Sequence, residues 1–130
     1  IVMRRLAGQL SKDQIAQLRA HVVSENRASN RNEPLSIRLA GEFHILLAKL
    51  TGSEIIARYV SEVTSPSGLI LALYGRPHSS DCGVSEHKAI VDALVGAEPG
   101  KAMELMEKHL QAYRYHVLKT CVFYCKRIFR

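Results

Sequence analysis

Apolar residues recur at three- and four-residue intervals along this chain, the period at which a helix buries one face. Ile1 to Ala7 already reads as helix with no capping residue ahead of it, so the chain is expected to start inside an element, with an N-terminal portion missing. Ser11-Lys12-Asp13-Gln14 forms a capping box, in which the serine side chain accepts from an unpaired N–H of the first turn and the glutamine reaches back. Ile15, Leu18 and Val22 follow on one stripe, which predicts a helix from Ser11 to Ala28. Asn26 to Asn32 is polar and predicts a loop, and Pro34 suits the first turn of the next helix, where its missing donor costs nothing. Leu39, Phe43, Leu46, Leu47 and Leu50 mark the buried face of that helix, and Thr51-Gly52 ends it.

A further helix opens at Ser53-Glu54 and carries Ile55, Ile56, Tyr59, Val60 and Val63. Ser65-Pro66-Ser67-Gly68 predicts a kinked or broken pair, because proline removes a donor and clashes with the preceding turn; the pattern resumes from Leu69 to Tyr74. Gly75 to Gly83 predicts a loop. His87, Ile90, Val91 and Leu94 form the stripe of a short helix ending near Gly96. Glu98-Pro99-Gly100 then starts a long helix with Ala102, Leu105, Met106, His109, Leu110, Tyr113 and Val117 on its inner side. The expected class is all-α, an antiparallel bundle of about six helices with short connections.

Composition agrees with that pattern. At 130 residues, 47% of them apolar, the chain suits a single domain over residues 1–130 and is too short for two of ordinary size. Aromatics make up 6% and tryptophan is absent, which favours helices over a sandwich or barrel. The net charge of +6 invites anions, yet the basic residues are scattered apart from Arg4-Arg5 and Lys126-Arg127 with Arg130. Scattered charge makes a solvated surface rather than a nucleic-acid stripe. Cys82, Cys121 and Cys125 contain no Cys-x-x-Cys pair, which argues against a disulfide framework and fits a reducing compartment. Cys121 and Cys125 share a helical face and read best as packing residues. With no signal peptide and no apolar run of membrane length, the expected location is the cytoplasm, with no membrane partner.

Three histidines give the chain its candidate chemistry. His44, His87 and His109 lie on or beside the apolar stripes of three different helices. One histidine on an apolar face is usually a hydrogen-bonded core residue, but three on facing helices can also turn neutral imidazoles to one point, as a metal requires. His21 and His78 read as exposed, and His116 lies two turns beyond His109.

The residues around these histidines carry a resemblance. Phe43-His44, the Thr51-Gly52-Ser53 break, Glu86-His87-Lys88-Ala89-Ile90-Val91-Asp92-Ala93-Leu94 and Ala102-Met103-Glu104-Leu105-Met106-Glu107-Lys108-His109-Leu110 come in an order that resembles the FCD effector-binding domain, the C-terminal domain of FadR-type GntR transcriptional regulators. The similarity extends from Ser11 to Leu118. It implies a helical bundle that binds a small organic acid beside a divalent metal such as zinc, nickel or manganese. It also implies a homodimer and a separate N-terminal winged helix-turn-helix that reads operator DNA, which has no counterpart in these residues. By motif, His44, His87 and His109 fall on the family's metal-ligand histidines. The family's usual fourth ligand, an aspartate one turn before the first histidine, falls on Ala40, which cannot coordinate. Glu42 is a poor replacement, since two residues along a helix point about 200° apart. Asp81, Cys82, His116 or a water molecule are the candidates for that fourth place.

Arg38 and Arg58, on helices expected to approach the pocket, and Ser65, in a hydroxyl-bearing turn, are candidate ligand-binding residues. The leading functional expectation is a sensory module, not an enzyme, in which a carboxylate metabolite favours one dimer geometry over another. The alternatives are a metal-dependent hydrolytic enzyme, for which Glu86 faces away from a general base's place, and a purely structural helical dimerisation domain.

Overall fold

In the computed structural model the described residues form six helices: α1 Val2–Leu6, α2 Lys12–Ala28, α3 Glu33–Leu50, α4 Glu54–Tyr74, α5 Ser80–Val95 and α6 Pro99–Ile128. The structure describes the backbone of residues 1–74 and 80–128, and the side chains of residues 1–66, 82–112 and 114. The fold is an all-α helical bundle. Neighbouring helices follow the order α4, α3, α2, α5, α6, with α1 lying against α6 and α3.

Local chemistry fixes most boundaries. The Ser11 Oγ accepts from the Gln14 N–H at 3.2 Å while the Ser11 N–H donates to Gln14 Oε1 at 2.9 Å, so the expected capping box starts α2. That helix persists to Ala28 and shortens the expected loop; Asn30 takes a left-handed φ of 58°, and the Asn32 side chain caps α3 by accepting from the Leu35 N–H at 3.1 Å. Thr51 closes α3 through its hydroxyl, which donates to the Ala48 carbonyl at 2.6 Å.

Two expectations need correction. Of the kinked or broken pair foreseen around Pro66, the broken reading is excluded, since α4 is one helix with the proline inside it. A proline removes one backbone donor, and a helix packed against α3 can absorb that loss. Of the loop foreseen from Gly75 to Gly83, residues 75–79 lie outside the described residues and residues 80–83 are helical, because α5 begins at Ser80. Ser80 and Asp81 favour the first turn of a helix, and so move Asp81 and Cys82 from loop to helix.

The core is built from Met3, Leu6, Leu18, Val22, Phe43, Leu47, Ile90, Val91, Ala93, Leu94 and Ala102. The stripes expected on α2, α3 and α5 supply most of it. The stripe expected on α4 divides instead: Ile56 and Val60 are half-buried, whereas Ile55, Tyr59 and Val63 are exposed. Leu110, expected on the inner side of α6, is also half exposed at 49%. Close approach limits two glycines. A Cβ at Gly8, whose φ is 71°, would stand 2.9 Å from the Ala97 Cβ, and one at Gly41 would stand 2.9 Å from Thr64 Cγ2.

Replacing Leu94, wholly buried, by alanine is expected to cost about 2–5 kcal/mol in urea unfolding, whereas Gln17→Ala on the exposed side of α2 stays within about 0.5 kcal/mol. Equal effects would contradict this assignment of the core.

Candidate metal centre

His44 on α3, His87 on α5 and His109 on α6 meet where these helices face each other. One ring nitrogen from each lies within 4.8 Å of the others. His109 Nε2 stands 3.2 Å from His44 Nε2 and 3.3 Å from His87 Nε2. The rings are packed as a group, with the His44 and His109 planes 26° apart and their centroids 5.1 Å apart. Phe43 lies flat against His87, at 3.9 Å between centroids and 16° between planes.

The outer nitrogens of two rings are held by carboxylates. His87 Nδ1 donates to Glu25 Oε2 at 2.7 Å, and His109 Nδ1 donates to Glu86 Oε2 at 2.6 Å. An ionised carboxylate only accepts, so the ring hydrogen sits on Nδ1 in both cases and Nε2 keeps its lone pair. Two such lone pairs 3.3 Å apart repel each other unless a proton or a cation lies between them. A metal bonded to imidazole at about 2.0–2.1 Å holds neighbouring nitrogens about 3 Å apart, close to the spacings seen here. The donor set therefore fits a divalent ion.

Electrostatics agrees. Burial, with smaller contributions from His87 and His109, pushes the His44 pKa down to about 3, so this ring is neutral across the physiological range. Burial also lowers His109; Glu86 opposes it through the hydrogen bond at Nδ1, and His87 adds to the lowering. Neutral imidazole is the form that coordinates a metal.

Glu25 and His21 were not foreseen as part of the site. His21, expected to be exposed, is half-buried; its Nε2 lies 2.8 Å from the Leu39 carbonyl and 3.2 Å from Glu25 Oε1. A ring nitrogen carries one hydrogen, and the nearer carbonyl takes it, so the contact with Glu25 is an ion pair only when the ring is protonated. Glu25 raises the His21 pKa against the opposing effect of burial. Burial would raise the Glu25 pKa, but the His21 and His87 contacts together outweigh it and leave the carboxyl below its usual value. The clue to Glu25 was its register: it continues the stripe Leu18, Val22 on α2, where an unpaired acid would be costly. Glu86 was legible only as a neighbour of His87, and its reach across to His109 depends on how α5 and α6 pack.

The other candidate residues lie elsewhere or outside the described side chains. Arg38 is exposed and pairs with Glu42 at 3.5 Å, Arg58 is exposed and pairs with Glu62 at 3.0 Å, and the Ser65 hydroxyl is exposed and donates to the Ser61 carbonyl at 3.1 Å. Cys82 is exposed on the first turn of α5. The side chains of Asp81, His116, Cys121 and Cys125 lie outside the described residues, as does His78.

The family model of the FCD domain matches residues 1–112. The chain belongs to the FCD domain family. FCD domains are regulatory effector-binding modules of GntR-family transcription regulators, and the match makes this chain a ligand-sensing domain of that kind. No curated protein and no solved structure matches it significantly. No helix among the described residues of this FCD domain is long and apolar enough to cross a membrane.

The depressed His44 pKa sets a pH dependence for the metal-free domain. As pH falls below 6.5, His44 in the unfolded chain takes up a proton, while in the folded chain it resists until about 3. Its contribution is complete above the unfolded value and is lost as the pH falls through that window. Urea unfolding in the presence of chelator is expected to lose stability more steeply over this range in the wild type than in His44→Leu. Parallel slopes would refute the burial of a neutral ring.

Proposed function

We propose that this FCD domain senses a small carboxylate metabolite beside a divalent ion held by His44, His87 and His109. The observation that carries the reading is the convergence of three imidazole nitrogens, two of them with their hydrogens turned outward to carboxylates. An ion bound there would supply a Lewis-acidic position for a carboxylate oxygen. Neutral nitrogen donors suit zinc or nickel better than manganese, which favours oxygen ligands. Alanine at position 40 gives no fourth ligand and Cys82 stands exposed outside the cluster, so that place falls to water, to the effector, or to Asp81 or His116. Arg38 and Arg58 would bind the effector only by leaving Glu42 and Glu62, and Ser65 only by turning its hydroxyl from Ser61.

The sensory output requires a second copy and a DNA-binding partner domain, through which operator DNA would be read in the cytoplasm. Ile55, Tyr59 and Val63 form an exposed apolar row on α4, flanked by Arg58 and Glu62. An antiparallel copy related by a two-fold axis near Tyr59 would cover this row and set Arg58 against the opposite Glu62, which supports homodimerisation through this face. Sedimentation is expected to find a dimer that Tyr59→Lys converts to monomer; an unchanged mass would remove α4 from the interface. Hydrolysis is the weaker reading, because Glu25 and Glu86, the acids bonded to the histidines, are engaged by ring hydrogens rather than placed to activate water.

Metal analysis and thermal shift test the site. Purified protein is expected to retain a divalent metal, to lose it with chelator or in His109→Ala, and to bind it about tenfold more tightly in Ala40→Asp. A carboxylate present at a hundredfold excess over its Kd should add about 2–3 kcal/mol of stability. Absence of metal together with no response to any carboxylate would sink this function.

A further inference from the structure

Glu25 is a buried acid in the core of the bundle. It is 2% exposed and leaves Oε1 without a hydrogen-bond donor among the described residues. A tie between α2 and α5 does not by itself require such a group, since a neutral amide would join His87 at less cost in desolvation.

The surroundings of His87 explain why an acid stands there. Phe43 lies flat against the ring and fixes its plane. It does not fix which nitrogen bears the hydrogen. Glu25 meets Nδ1 at 2.7 Å, and the opposite nitrogen then points at His109, 3.3 Å away. A hydrogen on Nε2 would fill the space shared with His109 and close the site to any cation. The buried negative charge also offers counter-charge to an ion surrounded by neutral rings, from one layer behind the ligands.

We propose that Glu25 is the positioning residue of this centre: from α2 it holds the His87 hydrogen on Nδ1, aims the Nε2 lone pair at His44 and His109, and supplies negative charge that strengthens cation binding. The metal-affinity part rests on the reading of the histidines as metal ligands, whereas the tautomer part stands independently of it. His21 supports the carboxylate from the other side, 3.2 Å from Oε1, while anchored to the Leu39 carbonyl on α3.

Two variants and two readouts test this. Nitrogen-15 NMR of the metal-free protein reports the His87 tautomer, and competition with a chromophoric chelator reports zinc affinity. The wild type is expected to carry the hydrogen on Nδ1. Glu25→Gln keeps an acceptor but removes the charge, so the tautomer should persist while zinc affinity falls about tenfold; Glu25→Leu should lose both the tautomer and about a hundredfold in affinity. If Glu25→Leu fails to fold, Glu25→Gln decides the charge contribution at constant shape, and the wild-type spectrum decides the tautomer. A wild-type His87 hydrogen on Nε2, or zinc affinity in the folded variants within about twofold of wild type, overturns the proposal. A wild type that binds no zinc yet shows a Glu25-dependent Nδ1 hydrogen would refute the metal reading and leave the tautomer assignment standing.

Discussion

A buried imidazole has two nitrogens to satisfy, and this bundle brings three such rings to one place, two of them with an outer nitrogen hydrogen-bonded to a carboxylate. Each ring comes from a different helix: α3 brings His44, α5 brings His87 and α6 brings His109, while α2 adds the acid that meets His87. No single helix could satisfy these groups alone, because residues far apart in the chain must converge within hydrogen-bond reach. The polar cluster therefore specifies which helices lie side by side, a task that apolar contacts, being non-directional, perform less selectively.

Around that cluster the packing is conventional. Phe43 and Leu47 of α3, Leu18 and Val22 of α2, and Ile90, Val91 and Leu94 of α5 bury the stripes that the sequence pattern announced. Phe43 belongs to both systems. Its ring is wholly buried with the apolar core and at the same time forms a wall of the site against His87. A substitution at Phe43 would consequently disturb stability and ring orientation together, so the two effects need separate measurement.

Most of the fold was legible because helical period, capping residues and glycine stops are local signals. Ser11 with Gln14, Asn32 ahead of Pro34, and Thr51-Gly52 each mark a boundary within a few residues of the structure's own. Pro66 left a broken helix open because a missing donor is a local defect that a sequence shows directly, whereas the packing of α4 against α3 that keeps it one helix is not local. The α4 stripe misled for a related reason: periodicity identifies an apolar face but not what covers it, and Ile55, Tyr59 and Val63 face outward. At the site, the three histidines could be picked out by their place on the stripes. Glu86 could not, since its partner His109 lies on another helix; Glu25 could have been, as an acid in line with Leu18 and Val22.

The tight contact at Gly8 bears on how the first helix is held. Its backbone N–H donates to the Leu94 carbonyl at 3.1 Å, and there is no room for a methyl group between it and Ala97. Leu94 lies about two turns beyond His87 on the same helix. The segment after α1 is thus clamped to the far end of the rod that bears the most deeply buried histidine, with Met3 and Leu6 seated in the core beside it. Such a clamp resists independent sliding, so α1 would share any tilt of α5 as the short arm of a lever shares the motion of its long one.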